Sequence, residues 1–211
     1  MSDARPQKRT EIRQQNETLI LQAAEKVFAE AGFGGATMQL IADVAGLPKA
    51  NLHYYFATKE DLYRRVVQNI FEIWLNAAGS MDRAPGPVEG IGSYIDAKMD
   101  ISRSHPCGSK VWASEVMHGA PVIQDYLETT LRNWTMGRAA LIQRWIDEGK
   151  MAPVDPHHLL YMLWATTQHY ADFGHQIETL NGGTPLTDAQ WQAAKDSVKG
   201  MILRGIGAVT S

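Results

Sequence analysis

Hydrogen-bonding side chains are concentrated in the short segment K-A-N-L-H-Y-Y. Lys49 and Asn51 can bond to base edges in DNA, and His53 can bond to bases or to phosphates. The hydroxyl groups of Tyr54 and Tyr55 can bond to phosphates while their rings pack inward. Together these residue types indicate a helix that contacts DNA.

Two short helices joined by a tight turn are expected to position this segment. The hydroxyl of Thr37 can cap the first helix, whose apolar face consists of Leu40, Ile41, Val44 and Ala45. Gly46 can end that helix in a left-handed conformation, and Pro48 suits the first turn of the next helix. Such a pair forms a helix-turn-helix motif, predicted over residues 37–56, whose second helix enters the DNA major groove. The spacing leaves open a helical hairpin in an ordinary all-α domain.

The segment before the motif is predicted to contain an arm and a helix. From Asn16 to Ala31 apolar residues recur at three- and four-residue steps, which predicts an amphipathic helix that ends at Gly32. Residues 1–16 are predicted to form a flexible basic arm, with Arg5, Lys8, Arg9 and Arg13 against Asp3 and Glu11. Such an arm can lie along DNA phosphates, and the alternative is an ordinary solvated terminus. The net charge of −3 does not contradict this, since residues 1–60 carry seven basic and seven acidic residues.

A long helix is predicted to follow the motif. Thr58 can cap it, with Asp61 three residues later as in a capping box, and the apolar pattern continues to about Ala78. Backbone N–H groups at its start, together with Lys59, can hold a phosphate. This helix would join the DNA-binding part to the rest of the chain.

Composition is that of an ordinary globular protein. The chain has 211 residues, 45% hydrophobic and 20% charged, and no apolar run approaches the roughly 20 residues needed to cross a bilayer. The polar N-terminus lacks the apolar stretch of a secretory signal, so we expect a cytoplasmic protein with no membrane partner. Cys107 is the single cysteine, which excludes a disulfide within the chain.

The remainder of the chain is also predicted to be helical. A linker is expected over residues 79–87, which contain Gly79, Pro85, Gly86 and Pro87. Beyond it, helical segments are expected at about residues 88–103, 107–117, 121–148, 156–178 and 187–206. Because no alternating strand pattern occurs, the predicted fold class is all-α.

One helical face in the segment 154–173 combines polar and aromatic residues. Tyr161, Trp164, Gln168 and Asp172 recur at three- and four-residue steps, and the Gln168 amide lies among apolar residues. If this face lines a cavity, Gln168 can offer its N–H and C=O together to a planar ligand, on which Trp164 or Trp74 can stack. The alternative is core packing with internally satisfied polar groups.

The motif resembles the TetR family of bacterial regulators, on T-M-Q-L-I-A-D-V-A-G followed by Y-Y-F-A-T-K-E-D-L. The resemblance implies a three-helix DNA-binding domain at residues 17–62 and a helical-bundle domain for ligand binding and dimerisation at residues 63–211. The residues assigned to double-stranded operator DNA are Thr37, Gln39, Lys49, Ala50, Asn51, His53, Tyr54, Tyr55 and Lys59.

Within that family, residues 63–211 are similar to the pyrimidine-sensing repressors. The similarity lies in D-P-H-H-L-L-Y-M-L-W-A-T-T-Q-H-Y-A-D-F and in F-E-I-W-L. This similarity implies a homodimer that uracil or thymine releases from its operator. The implied effector-binding residues are Trp74, Glu115, Trp164, Gln168, Tyr170 and Asp172. Trp112 departs from the methionine-rich segment expected before Glu115 and can reshape the pocket.

The last two long helices are predicted to form a four-helix interface between two copies of the chain. They carry more apolar residues than one small domain face needs: Leu159, Leu163, Tyr170, Phe173, Trp191, Val198, Met201, Ile202 and Ile206. A two-fold dimer would read a palindromic operator. The alternative is packing within one subunit.

Two other functions are considered. A TetR-type regulator of a more apolar effector would have a larger, less polar pocket around Gln168. An enzyme could use Glu115, His118 or Cys107, but no nucleophile–base spacing or glycine-rich phosphate loop supports catalysis. No cofactor, catalytic residue or metal site is predicted, because His157, His158, His169 and His175 lack a recognised ligand spacing.

Overall fold

The computed structural model describes residues 4–208, with side chains from Thr10 onward. Every regular element in this part of the chain is helical, as the sequence predicts. Residues up to Ile70 together with Lys110–Ile123 form a first compact unit. Phe71–Ser109 together with the residues from Gln124 onward form a second.

The first unit begins with three helices, α1 (Ala4–Gly35), α2 (Met38–Ala45) and α3 (Lys49–Tyr55). The Thr37 hydroxyl accepts a hydrogen bond from the Leu40 N–H, as the predicted cap requires. Gly46 ends α2 at φ 65° and ψ 29°, and Gly32 breaks α1 at φ 66°. Both predicted helix ends are therefore confirmed, because each depends on a residue that tolerates positive φ.

The start of α1 differs from the prediction. The helix begins at Ala4, well before Asn16, so residues 4–16 are helical where a flexible arm was predicted. Glutamine, glutamate and arginine in this stretch are good helix formers, and they extend a helix without an apolar face that would reveal it. The side chains of Arg5, Lys8 and Arg9 lie outside the described residues.

The predicted linker at residues 79–87 is also shorter in the structure. Helix α4 (Lys59–Asp82) continues through Gly79, and α5 (Pro87–Ser104) follows after four residues. Ala78 and Met81 are completely buried in the core of the second unit, and this packing outweighs the low helix propensity of Gly79. Tertiary burial thus explains why the helix continues into the predicted linker.

Two further long predicted helices are interrupted. After α6 (Pro106–Met117), residues 121–148 contain α7 (Gln124–Tyr126), a π-helical turn (Leu127–Leu131) and α8 (Arg132–Asp147). The hydroxyl groups of Thr129 and Thr135 donate to backbone carbonyls four residues earlier, which accompanies the irregular backbone.

Residues 156–178 form α9 (Pro156–Asp172) and α10 (Gly174–Leu180), separated at Phe173. The last helix, α11 (Asp188–Gly205), begins with a capping box between Thr187 and Gln190. Among the helices of residues 4–208, none combines the length and apolarity that crossing a membrane requires.

The core of the second unit lies between α5, α8, α9 and α11. Gly90 permits a close approach of α5 and α8, since a Cβ there would lie 2.6 Å from the Trp145 ring. The completely buried residues include Met81, Ile91, Ile95, Met99, Ile142, Leu160 and Leu163. This core fixes the relative positions of the polar side chains on α5 and α9.

Candidate nucleic-acid interface and effector site

Helix α3 presents nearly all of its side chains to solvent. Leu52 is its one buried residue, whereas Lys49, Ala50 and His53 are exposed and Asn51 is half-buried. The His53 ring bonds through Nδ1 to the Ala57 carbonyl at 3.3 Å, which leaves Nε2 for another partner. A short helix anchored at one point with polar groups outward has the form of a DNA-recognition helix.

The tyrosine pair does not pack inward in the predicted way. Tyr54 is 70% exposed, and its ring meets the edge of the half-buried Tyr55 ring at a centroid distance of 5.2 Å. The reason is helical geometry, because Tyr54 lies two residues from the buried Leu52 and therefore on the opposite face. Its hydroxyl remains accessible to a phosphate.

At helix α2, the polar side chains predicted to contact DNA already make hydrogen bonds within the protein. The Thr37 hydroxyl is engaged by the Leu40 N–H at 3.1 Å. The exposed Gln39 amide donates to the Asp43 carboxylate at 2.8 Å. The structure thus gives Thr37 a capping role alongside the predicted DNA contact.

The start of α4 is capped as predicted. The Asp61 N–H donates to the Thr58 hydroxyl at 3.0 Å, and the Thr58 N–H donates to the Asp61 carboxylate at 3.1 Å. Lys59 is used differently, since its ammonium donates to the carbonyls of Phe33 at 2.6 Å and Ala36 at 2.9 Å. Its side chain ties α4 to the end of α1, so a phosphate contact here depends mainly on backbone N–H groups.

A buried lysine, which the sequence did not single out, marks the candidate effector site. Lys98 on α5 is 2% exposed, and its ammonium lies 3.9 Å from the centroid of the Trp74 ring. Burial lowers the pKa of Lys98 to about 7, although the Asp172 carboxylate acts in the opposite direction. The protein therefore holds a poorly compensated cation against an aromatic face.

Hydrogen bonds connect the helices around this lysine. The Ser109 hydroxyl donates to the Asp172 carboxylate at 2.5 Å. One turn after Lys98, the buried Ser102 hydroxyl donates to the Thr167 carbonyl at 2.9 Å. The Ser102 bond holds α5 against α9, and the Ser109 bond holds the start of α6 against the end of α9. Gln168, next to Thr167, is half-buried.

Tyr94, Trp134 and Trp164 form an aromatic group. Tyr94 lies one turn before Lys98 on α5, Trp164 lies one turn before Gln168 on α9, and Trp134 lies on α8. The Trp164 indole N–H donates to the Tyr94 hydroxyl at 3.0 Å. The Trp134 ring lies 6.2 Å from the Trp164 ring and 6.4 Å from the Tyr94 ring. Burial raises the pKa of Tyr94, so its hydroxyl stays protonated at neutral pH. Trp164 is therefore held in a fixed orientation.

Two predicted effector residues have partners within their own compact units. Tyr170 meets the buried Trp191 of α11 edge-on at 5.6 Å, so its ring packs between α9 and α11. Glu115 belongs to the first unit and is 4% exposed. Its carboxylate accepts from the Val122 N–H at 2.7 Å and the Ile123 N–H at 3.3 Å. These contacts favour a structural role for both side chains.

Trp112, the predicted departure from the family pattern, is buried in the first unit. Burial of Tyr63 and the neighbouring Glu115 carboxylate together raise the pKa of the Tyr63 phenol. No sequence signal distinguished the Glu115 carboxylate as a cap for the turn after α6, because its partners are backbone groups of a loop.

Comparison with known proteins agrees with this geometry. Residues 20–66 match the family model "Bacterial regulatory proteins, tetR family", and residues 67–209 match "YcdC-like protein, C-terminal region". The HTH-type transcriptional regulator RutR of Escherichia coli O157:H7 is 39% identical over 187 residues, which cover 89% of this chain and 88% of RutR.

Solved structures share the fold at lower identity. The ketosteroid regulator KstR2 of Mycobacterium tuberculosis has a TM-score of 0.73 at 21% identity, covering 90% of this chain and 94% of KstR2. AibR, solved with isovaleryl coenzyme A and operator DNA, has a TM-score of 0.68 at 16% identity and covers 88% of this chain and 97% of AibR. The relatives are transcriptional regulators and not enzymes. The two matched regions and the identity to RutR show that the chain belongs to the TetR family of bacterial transcriptional regulators.

Proposed function

We propose that the protein is a homodimeric repressor that leaves a palindromic operator when a pyrimidine base, uracil or thymine, binds the second unit. The observation that carries the effector assignment is the buried Lys98 ammonium over the Trp74 ring. Gln168 follows Thr167, whose carbonyl accepts from Ser102, one turn after Lys98 on α5. The sequence similarity to pyrimidine-sensing repressors supports the same assignment.

A pyrimidine base suits this arrangement chemically. Its ring carbonyls accept hydrogen bonds, and its ring N–H groups donate them. Lys98 and the Gln168 amide N–H can donate to the carbonyls, while the Gln168 carbonyl accepts from a ring N–H. A bound carbonyl oxygen would also compensate the buried ammonium, whose lowered pKa indicates poor compensation in the free protein.

Ligand size is sufficient to drive a switch. Moving a two-state protein from about 1:99 to 99:1 needs roughly 5.5 kcal/mol of differential binding. A base of about eight heavy atoms has a ceiling near 12 kcal/mol. Helix α4 contributes residues to both units, from Lys59 at the DNA-binding end to Trp74 at the effector site, and can transmit the change.

An apolar groove on α9 and α11 supports the dimer. Its volume is about 570 Å³, and Met162 and Met201 within it are 55% and 61% exposed. The groove is lined mainly by Leu159, Met162, Val198, Met201, Ile202 and Ile206. A second copy would cover these side chains and give the two-fold symmetry that a palindromic operator requires.

Operator release tests this proposal. An operator would first be selected from random duplexes with the purified protein, and binding followed by fluorescence anisotropy. Uracil or thymine should release the wild type, whereas Gln168→Ala should bind the operator without responding. An exposed glutamine on α10, Gln176→Ala, lies outside both the site and α4 and serves as the control. An unaltered response in Gln168→Ala would discard the assigned effector site.

A further inference from the structure

Two buried N–H groups beside the Tyr94–Trp134–Trp164 group lack an acceptor. Within the described part of the chain, neither the Trp134 indole N–H nor the Arg138 Nε–H has a hydrogen-bond partner, although both nitrogens are inaccessible to solvent. Native proteins leave few buried donors unpaired, because each one costs its full desolvation free energy. An unpaired donor at a binding site is therefore evidence about the missing partner.

The two donors belong to side chains one helical turn apart on α8. The Arg138 guanidinium carbon is 5.2 Å from the centroid of the Trp134 ring. Another nitrogen of Arg138 donates to the Asp82 carboxylate, which holds the guanidinium in place. Burial raises the pKa of Tyr94, whereas the Trp164 hydrogen bond and the Arg138 charge act in the opposite direction, which places that charge near the hydroxyl.

The neighbouring polar groups do not supply the missing acceptor in this structure. The Tyr94 oxygen accepts from the Trp164 indole N–H at 3.0 Å, and the Asp82 carboxylate accepts from another nitrogen of Arg138. Trp164 and Arg138 themselves carry donors only. A group that completes this corner would bring oxygen lone pairs to the two N–H groups. A carbonyl or a carboxylate oxygen has this chemistry.

The corner adjoins the candidate effector site. Tyr94 lies one helical turn before Lys98 on α5, and Trp164 lies one turn before Gln168 on α9. A planar ligand held by Lys98 and Gln168 can thus direct one edge toward Trp134.

We propose that Trp134 and Arg138 form an acceptor-reading subsite, in which the Trp134 indole N–H and the Arg138 Nε–H bind a carbonyl or carboxylate oxygen of the effector. The inference rests on the proposed pyrimidine effector and adds the edge by which the base is selected. Cytosine, which carries an amino group in place of one ring carbonyl of uracil, presents a donor where this corner offers donors. The subsite therefore rejects cytosine if that edge faces Trp134.

The test compares two matched tryptophan variants of the full-length protein by calorimetric titration with uracil. Trp134→Phe keeps an aromatic ring and removes the N–H, and should weaken uracil binding about tenfold. Trp191→Phe on α11 is the control, because the Trp191 indole N–H is also buried without an acceptor, whereas its ring packs against Tyr170 of α9. It should bind uracil as tightly as the wild type.

Changes in the ligand keep the test decisive if Trp134→Phe folds poorly. 2-Thiouracil and 4-thiouracil each replace one carbonyl oxygen by sulfur, a weaker acceptor, and at least one should bind the wild type less tightly than uracil does. Where the variant folds, that loss should be smaller in Trp134→Phe. Orotate distinguishes a carboxylate preference, since it should then bind more tightly than uracil.

The possible failures can be told apart. If the wild type binds uracil but Trp134→Phe binds it equally well and neither thio analogue is weaker, the N–H groups are served by water and the subsite is wrong. If the wild type binds none of the bases, the proposed function fails together with the subsite.

Discussion

Individual residues account for most of the proposed recognition. The sequence identified Gln168 and the tryptophans, because an amide among apolar residues and aromatic rings at helical spacing stand out. Lys98 was missed, since a lysine in an amphipathic helix is ordinarily solvent-exposed. Only the packing of α5 against its neighbours shows that this ammonium is buried over Trp74. The burial of Glu115 could not be predicted from the sequence either, because its hydrogen-bond partners are backbone N–H groups of a loop.

Lys98→Met should change how stability depends on pH. Below pH 7 Lys98 is protonated in both states, and the native state bears the cost of burying the charge. Between pH 7 and about 10.5 the native state releases the proton while the unfolded chain keeps it, so wild-type stability rises by at most about 1.4 kcal/mol per pH unit. Urea unfolding at several pH values should show the variant more stable than wild type near pH 6, with an advantage that shrinks toward pH 10. Parallel curves would mean that Lys98 titrates normally.

Lys49→Ala combined with Asn51→Ala should abolish specific operator binding. Each good base contact contributes about 1–3 kcal/mol of discrimination, so losing both should weaken binding by roughly a hundredfold or more. Anisotropy measures the operator affinity, and calorimetry should show unchanged effector affinity. Lys150→Ala, which removes one positive charge from the second unit, is the control. Loss of effector binding in the double variant would indicate that α3 is a structural helix.

Helices are predictable where local rules determine their ends. The boundaries of α2 and α3 followed from Thr37 and Gly46, whose cap hydrogen bond and positive φ the structure confirms. The end of α4 and the π-helical turn before α8 were not predictable. Burial of Met81 extends α4 past a glycine, and the π-helical turn has no composition signal of its own.

Gly46→Ala should destabilise the protein through its backbone alone. At φ 65° an added Cβ would meet no heavy atom within 4 Å, so the cost is that of a left-handed alanine, about 1 kcal/mol. Chemical denaturation measures it. Gly137→Ala in α8 is the control, because that glycine also has open space around it but lies within a helix. It should stabilise by up to about 1 kcal/mol. Equal effects of the two changes would contradict the capping role of Gly46.

The whole molecule combines a helix-turn-helix pair, the polar cluster to which the effector is proposed to bind, and an apolar groove. All-helical class and the DNA-binding end were predictable from the sequence, because they rest on periodicity and caps. Association of two copies is proposed from the groove on α9 and α11, where the exposed Met162 and Met201 lie beside buried core residues. The sequence pointed to these helices but could not distinguish their inner faces from their outer ones.

Met162→Glu combined with Met201→Glu should give a monomer. Four carboxylates would meet in the interface of two variant copies, and burying them unpaired is costly. Light scattering after size exclusion should give about half the wild-type mass, and operator affinity should fall by at least a hundredfold because only one half-site is bound. Met136→Glu, an equally exposed methionine on α8, should leave the dimer intact. A dimeric double variant would place the interface elsewhere.

Calorimetric titration of the purified protein with uracil and thymine, against a non-pyrimidine heterocycle, decides the effector assignment. The Lys98–Trp74–Gln168 arrangement predicts saturable binding in the micromolar range, about one base per subunit, with no signal from the control. If neither base gave a binding signal at millimolar concentration, the pyrimidine assignment would be contradicted. The protein would then be a TetR-family regulator with a different effector.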